Sequence, residues 1–123
     1  MRSRDAAKAK EIFTRALAEA QEKSQQARAY YGLARVAILN RDPETGDQLF
    51  RRVLELEPDG ATKSWTLVYL GKLADSQGEA APAKEFYRQA LAVPDLPDQV
   101  RKEAEQGMQG AFTRDPGPRD PAR

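Results

Sequence analysis

Bulky and small residues recur along this chain at a spacing of 37: Phe13, Phe50 and Tyr87; Leu17, Leu54 and Leu91; Ala16, Val53 and Ala90; Ala9, Gly46 and Ala83. A second set shares the offset, pairing Leu33 with Leu70, Ala34 with Gly71 and Ala37 with Ala74. A period this short marks one supersecondary unit that cannot bury its own apolar face, so successive copies must stack. The unit reads most clearly between Tyr30 and Pro58. Tyr30, Leu33, Ala34, Ala37 and Ile38 lie three and four residues apart, which places them on one face of an α-helix. Asp42-Pro43-Glu44 opens a second helix, with the Asp carboxylate accepting from unpaired N–H groups and Pro where no N–H is needed. Its apolar face is Leu49, Phe50, Val53, Leu54 and Leu56, and Pro58-Asp59-Gly60 ends it. The unit is a helical hairpin.

Applied along the chain, the pattern predicts helices at about 5–22, 25–40, 43–57, 62–77, 80–93 and 98–112, an all-α domain over 1–112. Asp5 and Ser24 are the expected caps of the first two helices. Segment 5–22 aligns with the second helix of a repeat, so the array is expected to be either cut from a longer one or terminally capped. In the last helix Val100, Ala104, Met108, Ala111 and Phe112 face the array, the 37-residue offset setting Ala104 against Leu67 and Met108 against Gly71. Gly107 and Gly110 weaken that helix by ~1 kcal/mol each relative to Ala, and its expected role is to cap the stack. Segment 113–123 has three prolines and almost no apolar content, the composition of a disordered tail.

The matched positions carry a family resemblance. Leu67, Leu70-Gly71, Gly78, Ala83, Tyr87, Ala90-Leu91 and Pro94, with Tyr30, Leu33-Ala34, Phe50, Leu54 and Pro58 in the preceding copy, resemble the tetratricopeptide repeat. The chain departs from that pattern at Ala37 and Ala74, where an aromatic is usual, at Gly46, where Ala is usual, and in a period about three residues longer than the family's ~34. The extra residues are expected in the connection around Asp59 to Lys63. The resemblance implies an α-α superhelix, a solenoid of antiparallel hairpins, whose first helices line a concave groove and whose second helices form the convex back.

Composition narrows the chemistry. Charged residues make up 32% of the chain at a net charge of +1, which argues against duplex nucleic acid as a partner. Cysteine and histidine are both absent, which removes disulfides, the usual zinc ligand sets, Cys nucleophiles and His acid–base chemistry together. Glu55, Glu57 and Asp59 are two apart and point to different sides of a helix, so they form no carboxylate pair. Gly71 and Gly78 lack the spacing of a phosphate loop. No cofactor is expected and no catalytic role is assigned. No apolar run approaches the ~20 residues that span a bilayer, and no secretory signal is recognisable at the N-terminus; location is undetermined, with the cytoplasm as the default expectation.

Under the resemblance, the concave groove is expected to present Arg28, Tyr31, Arg35 and Leu39 from one repeat and Trp65, Val68, Tyr69, Lys72 and Ser76 from the next. Such an aromatic and cationic strip suits an extended peptide or protein segment of acidic or apolar character. The clamp with which some members hold C-terminal carboxylates needs Asn where this chain has Gly32 and Tyr69, so that activity is not expected. Two other readings stand beside the interaction scaffold: a spacer or oligomerisation segment that self-associates through its terminal repeats, and an RNA-binding array, which the balanced charge disfavours.

Overall fold

The computed structural model describes residues 2–110. Six helices follow one another: α1 (Arg2–Glu19), α2 (Lys23–Leu39), α3 (Pro43–Glu55), α4 (Gly60–Ser76), α5 (Ala80–Leu91) and α6 (Asp98–Met108). No strand occurs among the described residues. Ala111 and Phe112, and the tail at 113–123, lie outside them.

The packing is that of a solenoid. α2 packs on α3 and α4 on α5 as hairpins, and each hairpin stacks on its neighbour. Among the described residues the backbones of α2 and α4, and of α4 and α6, come close, whereas those of α1, α3 and α5 do not approach one another; α3 reaches α5 through side chains, the Arg51 guanidinium lying 5.6 Å from the centre of the Phe86 ring. The stack therefore curves towards its first helices, and α2, α4 and α6 line the inner side.

Local chemistry sets the helix ends. Asp42 accepts from the Thr45 N–H at 3.2 Å and Asp59 from the Thr62 N–H at 2.8 Å, each capping the helix that follows. These bonds hold both carboxyls below the ordinary Asp range. Two expected caps are corrected. Asp5 lies within the first turn of α1, which begins at Arg2. α2 starts at Lys23 rather than after Ser24, because the Gln25 side-chain carbonyl reaches back to accept from the Glu22 and Gln21 N–H groups, at 3.0 and 2.8 Å.

The extra residues of the period also lie elsewhere than expected. Gly60 to Lys63 form the first turn of α4, with the Lys63 N–H donating to the Asp59 carbonyl at 2.8 Å. The first helices α2 and α4 have 17 residues each, against 13 and 12 for the second helices α3 and α5. The 37-residue offset then slips by one before α6. Glu57 and Asp95 hold matching left-handed links, with φ of 53° and 54°, and are 38 apart, as are the helix starts Gly60 and Asp98. Ala104 is thus equivalent to Thr66 rather than Leu67, and Glu103 to Trp65. Val100 and Ala104 are fully buried, as the helical pattern predicts.

Each hairpin solves its seam differently. In the first, a methyl added at Gly46 would lie 2.6 Å from Ile38 Cδ1 and 3.3 Å from its Cγ1. In the second, Ala83 takes the place of Gly46 and the shorter Asp75 that of Ile38, 37 residues on in both cases. Gly46→Ala should therefore show almost none of the ~0.8–1 kcal/mol that Ala gains over Gly in a helix, because the end of Ile38 must move aside. In an Ile38→Val background, which removes Cδ1, the same substitution should recover that gain. A double-mutant cycle by urea denaturation reads the coupling; strictly additive effects would mean that Ile38 is not what fills the site.

Candidate functional site

The inner face carries a ladder of rings and cations. Tyr31 on α2 meets Phe50 of α3 edge-on at 5.9 Å between centroids and Tyr69 of α4 at 6.1 Å. Tyr69 stacks on Phe50 at 5.0 Å with 12° between the planes, and Trp65 tilts against Tyr69 at 6.4 Å. The Arg35 guanidinium lies over the Tyr31 ring at 5.9 Å and the Lys72 ammonium 6.0 Å from the Tyr69 centroid. The two cations are 37 residues apart and occupy equivalent positions on α2 and α4.

Helix register explains the ladder. Tyr31 and Arg35 are one turn apart, as are Trp65, Tyr69 and Lys72, so each helix contributes a single stripe. The stripe also supports the hairpins: Phe50 is fully buried, and the half-buried Tyr31 and Tyr69 pack on it. Burial, more than any neighbouring charge, pushes the Tyr31 hydroxyl up to about 12, so it stays a neutral donor across the physiological range.

The third first helix adds an anion. Lys72 forms an ion pair with Glu103 of α6, and Gln99 Nε2 donates to the same carboxylate at 3.1 Å. Burial works to raise the Glu103 carboxyl, but the bonds from Lys72 and Gln99 outweigh it and hold it below the ordinary range. Further along, Arg28 pairs with Asp59 at 3.0 Å. Arg35 is exposed and enters no ion pair among the described residues. Leu39, one turn beyond it, is 59% exposed.

Of the residues expected in the groove, Tyr31, Arg35, Trp65, Tyr69 and Lys72 come together, and Arg28 lies on the same helix as the first two. Val68 is different: it is fully buried in the cluster around Tyr87 and offers no surface to a ligand. Its position points to the α5 and α6 side, because α4 packs against both. The sequence reading missed Glu103, since a one-residue slip conceals that it aligns with Trp65. It also missed a buried polar pair, in which the Tyr87 hydroxyl donates to Asp75 at 2.8 Å. The signal was present, because a tyrosine replacing Phe50 at a core position must find a partner for its hydroxyl.

The family model of the tetratricopeptide repeat matches residues 25–94, more than half of the chain. The chain belongs to the tetratricopeptide-repeat family. The match spans α3, α4 and α5 and all but the first two residues of α2, which are the two complete hairpins. No curated protein and no solved structure matches the chain. Tetratricopeptide repeats are in general protein–protein interaction modules, and membership places this chain in that class.

Proposed function

We propose that the concave face of this tetratricopeptide domain binds an extended protein segment that presents a carboxylate beside apolar side chains. One observation carries the reading: Arg35 projects from the inner face without an ion pair among the described residues, held over Tyr31, one turn from the exposed Leu39. A guanidinium fixed on an aromatic ring is pre-oriented for a carboxylate, and Tyr31 and Leu39 supply adjoining apolar contact. Lys72 is already engaged by Glu103, which leaves Arg35 as the main electrostatic determinant and makes the groove asymmetric.

The rings make poor test positions, because Trp65, Tyr31 and Tyr69 all pack against the core and their truncation would weaken the fold as well as the surface. Arg35→Glu is cleaner. Peptides selected from a random library on the immobilised protein should be enriched in acidic residues next to apolar ones. Titrated against variants, the best of them should bind Arg35→Glu at least tenfold more weakly, ~1.4 kcal/mol. The pair Arg51→Glu and Arg88→Glu, on the second helices, should leave binding unchanged. Loss of binding in that pair with retention in Arg35→Glu would assign the interface to the convex side.

A further inference from the structure

α1 differs from α3 and α5, its equivalents, in what covers it. Among the described residues it packs on α2 alone, through a face that includes Ala6, Phe13 and Leu17. The counterparts of Ala16 at the 37-residue offset are Val53 and Ala90, both fully buried by the first helix of their own hairpin, whereas Ala16 is exposed. The counterparts of Ile12 are Leu49 and Phe86, both half-buried, whereas Ile12 is 60% exposed. In the complete repeats this face is covered by a helix running antiparallel to it.

The charges around Ile12 and Ala16 indicate what covers it here. Lys8, Glu11, Arg15 and Glu19 share this face, all four are exposed, and none enters an ion pair among the described residues. Their order is positive, negative, positive, negative. Reversed against itself, the series matches opposite charges throughout: Lys8 meets the second copy's Glu19, and Glu11 its Arg15. The midpoints of the two pairings differ by half a residue, about 0.8 Å along the helix axis, so both form at once. A parallel arrangement would set like charges together. An ordinary apolar first helix suits the face less well, because Glu19 stands where Leu56 and Val93 are buried in the other repeats.

We propose that two copies of this chain pair through α1 in an antiparallel, two-fold symmetric contact, with Ile12 and Ala16 at its centre and four intermolecular ion pairs around them. The contact uses none of the groove residues. It is small, and much of its selectivity is electrostatic, so the dimer is weak and weakens further with salt.

Sedimentation velocity from about 10 µM to about 1 mM protein at low salt tests it. The wild-type chain should shift from monomer to dimer across that range. Glu11→Lys with Glu19→Lys makes the face wholly positive, and Lys8→Glu with Arg15→Glu makes it wholly negative; each should raise the dimer dissociation constant at least tenfold. Mixing the two variants should restore a one-to-one dimer. All four side chains are exposed, so both variants should keep the wild-type circular dichroism spectrum. A wild-type chain that stays monomeric at the highest concentration overturns the proposal, as does a dimer indifferent to both reversals. A mixture of the variants that fails to pair overturns the role given to the four ion pairs.

Discussion

Replacing Tyr87 by Phe should cost about 1–3 kcal/mol of stability, and replacing it by Ala about 3–5 kcal/mol. The ring is fully buried at the meeting point of α4, α5 and α6, packed with Leu67, Val68, Val100 and Ala104. Its hydroxyl donates to Asp75, itself 4% exposed, so Phe would keep most of the packing and withdraw a donor from a buried carboxylate. Burial first, and the bond to Asp75 second, push ionisation of the phenol far above its ordinary value, so the donor persists at any pH at which the fold is studied. The first hairpin meets the same position with Phe50 opposite Ile38 and Gly46. Transplanting that solution, with Tyr87→Phe, Asp75→Ile and Ala83→Gly together, should return most of the loss. Urea denaturation compares the single, double and triple variants. A Tyr87→Phe protein as stable as wild type would show that the hydroxyl contributes nothing net.

Gly71→Ala and Gly107→Ala should each destabilise by about 1–3 kcal/mol, against the ~1 kcal/mol that Ala gains over Gly within a helix. A methyl at Gly71 would stand 2.5 Å from Tyr87 Cε1, and one at Gly107 2.4 Å from its Cε2. The ring is held between the two glycines and cannot yield towards either. Gly46 differs because its neighbour is the end of a flexible side chain. In a Tyr87→Leu background the penalty for Gly71→Ala should shrink, since the opposing ring is gone. A raised denaturation midpoint for either single variant would refute the close approach.

Much of this architecture was legible from spacing alone. Helical periodicity, together with Pro43 and Asp42, placed α3, and the 37-residue recurrence required the hairpins to stack. What escaped depended on distances between helices. Gly107 read as a weak point in a capping helix, while its small size is what lets α6 approach Tyr87. Asp59 read as part of a loop because Pro58 precedes it, yet its carboxylate starts α4. Val68 read as groove from its helical phase, but α4 is covered on two sides, by α5 and by α6, and a phase calculation sees one. The cations were found by position and their engagements were not: sequence equivalence makes Arg35 and Lys72 alike, and Glu103 makes them different.

The seams of the two hairpins limit how this solenoid could be shuffled or extended. Ile38, Gly46 and Phe50 form one lock; Asp75, Ala83 and Tyr87 form another. Exchanging α3 for α5 would set the Asp75 carboxylate against a phenylalanine with no hydroxyl, and would bring Ile38 against the methyl of Ala83. The repeats are alike in outline but keyed in their interiors, so a helix is tradeable only together with the helix it faces.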